Sequence, residues 1–277
     1  MSWPTCPNGC HADSAVDAAH AFVVPAYGRP PWLAQCLESL QQQTVRSPIL
    51  IATSTPNDHL ARTAAQFGVP LRINPLAAGI GADWNFALSV ADARWVTLAH
   101  QDDWYAPIYT ERCLMAAGES PSPLLVFSSA LDQRGDVTDA RHARVKRLLC
   151  EIAFLGQRAI GSSRRKRLLL SFGDPIPCPT VMLHRSSLPD FAFPAGFDAA
   201  LDWAAWLDLA RRSGEFVFVR EPLVHRRMHP ASATHVHLAA RAREDARILR
   251  TLWPAPVAAL VGAFYAAGRR RYASDDL

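Results

Sequence analysis

The chain has 277 residues, of which 49% are apolar and 19% are charged, and its formal net charge at pH 7 is +4. This balance excludes an intrinsically disordered chain, and the length allows either one large domain or two small ones. Almost all the basic residues are arginines, since only Lys146 and Lys166 are lysines, and this bias alone indicates no function.

Short apolar runs alternate with amphipathic segments through the first half of the chain. Leu33, Cys36, Leu37 and Leu40 repeat at helical spacing, and Gly68 is a natural helix end. The predicted strands are residues 21–24, 49–52, 69–73 and 95–99, with a helix between each pair. Such alternation predicts an α/β fold with a mostly parallel sheet flanked by helices. Ligands bind such sheets at the carboxyl ends of the strands.

The second half is less regular. We predict strands at residues 124–129 and 216–219, a loop and strand over 172–183, a helix near 199–212, and an extended segment ending at His229. A stretch at 141–167 holds nine Lys and Arg residues against a single acid, Glu151. The chain after His237 has an amphipathic helical pattern. We therefore divide the chain into a flexible leader (1–20), one main domain (21–235) and a C-terminal helical extension (236–277).

Targeting signals and a zinc site are not evident. No basic region followed by an apolar run begins the sequence, and no apolar stretch approaches the roughly 20 residues that span a bilayer. The six cysteines form no CxxC pair, and Cys6, Cys10 and His11 lack a fourth zinc ligand at suitable spacing. We expect a cytoplasmic protein in a reducing compartment, with contact to the inner face of the membrane as a further hypothesis.

The sharpest polar cluster is His100-Gln101-Asp102-Asp103, directly after a predicted buried strand. A hard divalent cation prefers carboxylate oxygens and leaves positions free for phosphate oxygens. Such a cation would neutralise a diphosphate leaving group. The alternative is that the two acids only form a turn or cap a helix.

A second candidate is Asp202, in the first turn of a helix whose inward stripe includes Trp203 and Trp206. A helix N-terminus favours the ionised carboxylate that a general base needs. The alternative, favoured without other context, is an ordinary first-turn Asp that stabilises the helix.

A third cluster covers residues 225–234, from His225 to Thr234. Its His and Arg side chains suit metal ligation or phosphate binding, and its Ser and Thr add hydroxyl donors. A solvated surface is the alternative, and for this cluster alone it is favoured.

Taken together, these segments resemble glycosyltransferase family 2, in the order that family has them. The similar segments are Val24 to Arg29, Gly79 to Asn85, Leu98 to Asp103, Phe197 to Leu209 with Leu201-Asp202-Trp203, and Arg227 to Ser232. Each segment is a weak match, whereas five in order are a strong one. The resemblance covers about residues 21–235 and implies a GT-A (Rossmann-like) fold.

The resemblance also implies an activity, which is inverting transfer of a sugar from a nucleotide-diphosphate donor to a hydroxyl acceptor. The acceptor would be a saccharide or lipid-linked saccharide in polysaccharide or glycolipid assembly. Asp202 would be the base, and Asp102 with His229 would bind Mg²⁺ or Mn²⁺. The implied nucleotide-binding residues are Pro25, Tyr27, Arg29, Thr53, Ser54, Asn85, His100 and Gln101. The implied acceptor or donor pocket is Asp103, Pro179, Thr180, Trp203 and Arg227, although core packing is an equal alternative for the tryptophans.

Two departures from the family pattern concern the donor. Thr53 and Ser54 stand where the family usually has paired acids, and His100 replaces the first acid of the DxD pattern. Base contacts would then come from hydroxyls or backbone, and His100 would only hydrogen-bond the ribose or a phosphate. These losses leave open a non-catalytic nucleotide-sugar or glycan-binding protein on the same scaffold.

The basic segments suggest a nucleic-acid-binding protein as a second rival. Arg164 to Arg167 and Arg269 to Arg271 are the densest runs, but no recognisable DNA- or RNA-binding motif accompanies them. We therefore predict no nucleic-acid partner. Anionic lipid headgroups or a lipid-diphosphate acceptor suit the same charge, and a plain solvated face remains the alternative.

Overall fold

The computed structural model describes residues 18–76, 79–134, 137–229, 232 and 238–274. Cys6, Cys10, His11 and Thr234 lie outside the described residues, as do Pro230 and Ala231 of the predicted closing segment. Most of the predicted leader also lies outside them, but its last three residues belong to the first strand, which begins at Ala18.

The first half has the predicted alternation of strands and helices. In chain order the elements are β1 (Ala18–Pro25), α1 (Leu33–Gln41), β2 (Ile49–Thr53), α2 (Asp58–Phe67), β3 (Leu71–Ile73), α3 (Ile80–Ser89) and β4 (Ala93–Leu98). The four strands pair in parallel in the order β3-β2-β1-β4. Their carboxyl ends therefore meet along one edge of the sheet.

Local chemistry explains where α2 begins and ends. The Asn57 side chain accepts hydrogen bonds from the backbone N–H groups of His59 and Leu60, which satisfies donors that the first helical turn leaves free. Gly68 follows the helix with φ of 63°, a conformation that glycine adopts without a Cβ clash.

The second half completes a ten-stranded mixed sheet. Its strands are β5 (Trp104–Tyr105), β6 (Pro123–Arg134), β7 (Val137–Asp139), β8 (Ala159–Ile160), β9 (Val181–His184) and β10 (Glu215–Arg227). Its helices are α4 (Tyr109–Gly118), α5 (Ala140–Phe154), α6 (Ser163–Leu170), α7 (Leu201–Leu209), α8 (Leu238–Leu252) and α9 (Ala255–Ser274). None of these or the earlier helices, over the residues described, is long and apolar enough to span a membrane.

The mostly parallel prediction is confirmed, because β1 to β4 pair in parallel with one another and β6 pairs in parallel with β10. β9 lies antiparallel between β4 and β6, and β5, β7 and β8 are also antiparallel to their partners. The two segments predicted at 216–229 form one strand, β10, whose register against β6 shifts between Val219 and Val224. Pro222 lies within this irregular part of the strand, and it has no backbone N–H to donate to the neighbouring strand.

Helices cover both faces of the sheet. One buried cluster joins the sheet to α3, α5, α6, α7 and α8, and the other joins it to α1, α2 and α4. Trp203 and Trp206 are fully buried in the first cluster, and their indole N–H groups donate to the carbonyls of Leu170 and Ile176, each at 3.0 Å. These bonds satisfy the only polar atom of each ring.

Gly214, just before β10, has a conformation and a setting that only glycine tolerates. Its φ is 113°, and a Cβ there would lie 2.7 Å from the Leu124 side chain and 2.9 Å from the Ser122 carbonyl oxygen. We expect Gly214→Ala to destabilise the fold by about 2–3 kcal/mol and to lower Tm by roughly 5–10 °C in a thermal melt. Gly118→Ala is the matched control, since nothing lies within 4 Å of its added Cβ; an equal loss in both variants would contradict the explanation.

Candidate active site

The candidate site lies where β1, β2 and β4 end. The turn after β1 and the turn after β4 are joined by a hydrogen bond of 2.8 Å from the Tyr27 backbone N–H to the Gln101 side-chain oxygen. The turn after β2 is joined to the first by a 2.8 Å bond from the Gly28 N–H to the Thr55 hydroxyl. The Tyr27 ring is 68% exposed, so it is free to contact a ligand.

The residues at the end of β2 differ in their surroundings. Thr53 is buried, and its hydroxyl accepts a 3.0 Å hydrogen bond from the Thr55 N–H. Ser54 instead donates to the Asp83 carboxylate at 2.8 Å. Asp83 also accepts from the Asn74 amide at 3.0 Å, so an acid stands at this edge although the turn after β2 lacks one.

Asp83 lies in the Gly79–Asn85 segment and in the first turn of α3, but no role for it was predicted from the sequence. Asn85, predicted to bind nucleotide, pairs with the Phe193 backbone, accepting at 2.7 Å and donating at 3.0 Å. Both ends of its amide are therefore engaged in fastening α3 to the loop that precedes α7.

A cluster with metal-ligand chemistry follows β4. His100, Asp102 and Asp103 each place one ligand atom within 4.8 Å of the others. The end of β10 holds this cluster in place, because the His229 Nε2 lies 2.9 Å from Asp102 Oδ2 and the Arg227 N–H donates to Asp103 Oδ1 at 2.9 Å.

Burial and mutual charge set the protonation of this cluster. Burial lowers the pKa of His100, so the ring is neutral at pH 7 and keeps a lone pair. Burial would raise the pKa of Asp102, but the His229 hydrogen bond and the nearby histidines outweigh it and lower that pKa. Burial, followed by the Asp102 charge, raises the pKa of Asp103 well above its usual value.

These residues fit a divalent cation. His100 Nε2 is buried and has no hydrogen-bond partner among the residues that the structure describes, and such an orphaned ring nitrogen is costly unless something binds it. Carboxylate oxygens and a neutral imidazole are suitable ligands for Mn²⁺, and carboxylates suit Mg²⁺.

Aromatic rings and an arginine line the region beside this cluster. The Arg227 guanidinium lies 4.8 Å from the ring centre of Trp32 and 4.9 Å from that of Trp104, and it donates to Gln35 at 2.6 Å. The Trp32 ring also packs on His229, with centres 4.4 Å apart. Arg227 was predicted at the site, whereas Trp32, Gln35 and Trp104 lay in no recognised motif.

Asp202 lies in the first turn of α7 and is partly exposed, with Oδ1 accepting a 2.9 Å hydrogen bond from the Trp203 N–H. Burial is the largest influence on the pKa of His100 and lowers it, whereas the carboxylates of Asp102 and Asp202 both raise it. The two acids are therefore close enough to act on the same imidazole, although they are far apart in the sequence.

The loop ahead of α7 is held by a buried glutamate of α8. Glu244 accepts hydrogen bonds from the backbone N–H groups of three successive residues, Asp198, Ala199 and Ala200, at 2.8–3.0 Å. Arg247 of the same helix donates to the Gly196 carbonyl at 3.2 Å. Helix α8 thus fixes the segment that leads to Asp202.

The remaining predicted site residues fall into two groups. Pro179, Thr180 and Trp203 are buried, so they support the site from the core and present no surface to an acceptor. This is the core packing that the sequence left open for Trp203. Arg29 is exposed in the turn after β1, and Pro25, the last residue of β1, is partly buried.

A sequence model of one family, described as "Glycosyl transferase family 2", matches residues 21–190. This is more than half of the chain, and the chain belongs to glycosyltransferase family 2. The EpsH protein of Bacillus subtilis (strain 168) is 25% identical over 131 residues, which cover 44% of this chain and 37% of EpsH. The match therefore spans well under half of that relative.

Two solved structures show the same GT-A fold. Residues 1–349 of S. aureus TarS, in complex with UDP-GlcNAc, are 13% identical with a TM-score of 0.62, covering 90% of this chain and 71% of that one. The mannosyltransferase PcManGT from Pyrobaculum calidifontis, in complex with GDP-Man and Mn²⁺, is 14% identical with a TM-score of 0.60, covering 90% and 69%. Against a longer TarS structure the match spans 42% of that chain.

Proposed function

We propose that this protein is an inverting, metal-dependent glycosyltransferase that moves a sugar from a nucleoside-diphosphate donor to an acceptor hydroxyl. The observation that carries the proposal is the cluster of His100, Asp102 and Asp103 at the carboxyl edge of the sheet, in which the buried His100 Nε2 has no hydrogen-bond partner among the described residues. The Asp202 carboxylate acts electrostatically on the same imidazole. The family membership and the nucleotide-sugar complexes of the similar structures support it.

The donor would bind across the ends of β1, β2 and β4. Tyr27 and Arg29 are exposed there to cover the base, with Pro25 shaping the turn, and the Ser54–Asp83 pair offers an acceptor for ribose hydroxyls. Gln101 and Thr53 would act by holding the turns in place.

His100, Asp102 and Asp103 form the cluster that would hold Mg²⁺ or Mn²⁺, with His229 as a further ligand from its position beside Asp102. When bound, the cation supplies positive charge to the diphosphate as its bond to the sugar breaks. Arg227, which lies between two tryptophan rings, adds a fixed positive charge near the same group.

Asp202 would remove the proton from the attacking hydroxyl. The acceptor oxygen forms a bond to the anomeric carbon on the face opposite the diphosphate, the bond to the diphosphate oxygen breaks, and its electron pair leaves with the nucleotide. The proton ends on Asp202. The acceptor we propose is a saccharide or lipid-linked saccharide in the assembly of cell-surface polysaccharide or glycolipid, which places the protein at the cytoplasmic face of the membrane.

Release of nucleoside diphosphate from a panel of UDP-, GDP- and dTDP-sugars, with Mn²⁺, Mg²⁺ or EDTA, tests this function. We expect one donor class to be consumed by slow hydrolysis in the metal-containing samples alone, and faster consumption with a saccharide acceptor. The rival non-catalytic function, favoured by the use of Thr53 within its own turn, predicts saturable donor binding with no release under any condition.

Glu244 offers a test of how the base is positioned. We expect Glu244→Ala to lower kcat about 10- to 100-fold with little change in nucleotide affinity, because the loop ahead of Asp202 loses three hydrogen bonds and small displacements of a catalytic group are costly. Glu244→Gln, which keeps an oxygen acceptor, should recover part of the loss. Steady-state kinetics and nucleotide titration measure the two quantities.

Arg250→Ala is the control for this variant, since Arg250 is exposed on the same helix. A Glu244→Ala protein with unchanged kcat, or one in which nucleotide affinity falls in parallel with kcat, would contradict a role in positioning Asp202.

A further inference from the structure

One face of α5 exposes an apolar stripe to solvent. Val145, Leu148 and Ile152 recur at helical spacing, Leu155 directly follows the last residue of the helix, and the four residues are 53–74% exposed. Cys150, Ala153 and Phe154 of the same helix are buried in the core. A surface helix of a globular protein normally turns its apolar stripe inward. α5 carries a second stripe outward.

Neighbouring elements add to this apolar surface. α5 packs against α6, on which Arg164 and Leu168 lie one turn apart and exposed, followed by exposed Phe172. The Phe172 ring contacts Trp253 at the junction of α8 and α9, with centres 5.3 Å apart. α9 then exposes Val257, Leu260 and Phe264 along one side.

Positive charge surrounds the stripe. Arg144, Arg164 and Arg167 are exposed and form no ion pair with an acid among the described residues. The single acid of the stretch, Glu151, is already bonded to Arg220 at 2.9 Å. Lys166 and Arg165 belong to the same basic stretch but serve the fold, since they donate to backbone carbonyls.

The inner side of α5 adjoins the candidate site. Lys146 and Arg147 line a cavity of about 20 Å³ with Asp132 and Arg226, and Arg226 precedes the Arg227 whose backbone holds Asp103. This cavity therefore links α5 to the strand that carries Arg227.

We propose that α5 and α6 dock on an anionic lipid surface, with the apolar stripe entering the boundary of headgroups and acyl chains and the arginines binding lipid phosphates. Apolar and basic side chains on one helical surface are the pattern of interfacial membrane helices. A nucleic-acid backbone would use the arginines but would leave four large apolar side chains in water. This membrane binding does not depend on the proposed function. A further consequence, that docking brings a lipid-linked acceptor to the site, does rest on the proposed function.

The test is cosedimentation of the full chain with vesicles of phosphatidylcholine, with and without phosphatidylglycerol. We expect binding to the anionic vesicles that weakens with salt, and little binding to the neutral ones. Leu148→Ser combined with Leu155→Ser should weaken the binding at least tenfold. Met115→Ser is the matched control, because Met115 is similarly exposed (53%) on α4, on the other face of the sheet.

Donor hydrolysis in the absence of vesicles separates this inference from the proposed function. Loss of vesicle binding with unchanged hydrolysis in the double variant supports the surface, and a wild-type protein that binds vesicles but consumes no donor refutes the function alone. No binding to anionic vesicles, equal binding by the double variant, or salt-sensitive binding to RNA in place of vesicles would overturn the proposal.

Discussion

Replacing Asp202 by Asn is expected to lower kcat for sugar transfer by about 10³-fold while leaving the affinity for nucleoside diphosphate unchanged. An amide cannot accept the hydroxyl proton, and loss of a general base typically costs 10²- to 10⁴-fold. The substitution is nearly isosteric, so the 2.9 Å hydrogen bond from the Trp203 N–H to the side-chain oxygen can persist. Steady-state transfer assays and calorimetric titration with nucleotide measure the two quantities separately.

Asp208→Asn is the matched control for this variant, because Asp208 lies on the same helix and pairs with Arg212 at the surface. We expect its kcat to stay near wild type. Wild-type turnover in Asp202→Asn would refute the assignment of the base. A loss of nucleotide affinity as large as the loss of turnover would instead place Asp202 on the donor side of the cleft.

Replacing Asp102 by Asn should abolish the effect of metal on donor binding. We expect Mn²⁺ to strengthen the binding of nucleoside diphosphate to the wild-type protein. The Asp102→Asn variant should bind the nucleotide weakly, with the same affinity in Mn²⁺ and in EDTA, and its turnover should be at least about 10²-fold lower than that of wild type. The reason is that the low pKa of Asp102 marks it as the ionised carboxylate of the cluster, whereas the pKa of Asp103 is raised by burial. Titration with and without Mn²⁺ measures the difference.

Asp92→Asn serves as the control, since Asp92 is an exposed acid just before β4, at the opposite edge of the sheet. A variant at Asp102 that keeps the full Mn²⁺ effect would show that the cation binds elsewhere. In that case the cluster of His100, Asp102 and Asp103 would not be the metal site.

The first half of the fold was predictable because its signals are local. The helical repeat of Leu33, Cys36, Leu37 and Leu40 identifies a face that is buried, and Gly68 stops α2 through its own φ. Alternating strands and helices leave few topologies besides a parallel sheet. The first four strands therefore occur in the predicted order along the chain, and their first and last residues lie within a few residues of the predicted ones.

The second half depends on pairing between distant segments, which no local pattern reports. Nothing in the sequence Val181–His184 states that β9 will enter antiparallel between β4 and β6. The irregular register near Pro222 likewise arises from the match between β10 and β6. Strand direction is decided by the whole sheet rather than by the residues of one strand.

At the site, the sequence predicts roles for residues that stand in motifs, whereas the contacts of several other residues become visible only in the fold. Asp102 and His229 come from two of these segments and lie 2.9 Å apart, and their role in binding a metal stays a prediction. Trp32 reaches them from the start of α1, and Asp83 reaches the end of β2 from α3. Glu244 lies beyond the family match and acts through backbone contacts, which leave no sequence signature.

The most direct test of the central claim is an anomalous-scattering map from crystals grown with Mn²⁺ and the nucleoside diphosphate that binds. The account predicts one strong peak bonded to Asp102, bridging to the diphosphate, with the Asp202 carboxylate facing the open side of the same cleft. A diphosphate bound at this edge with its manganese away from Asp102, or with Asp202 turned out of the cleft, would contradict it.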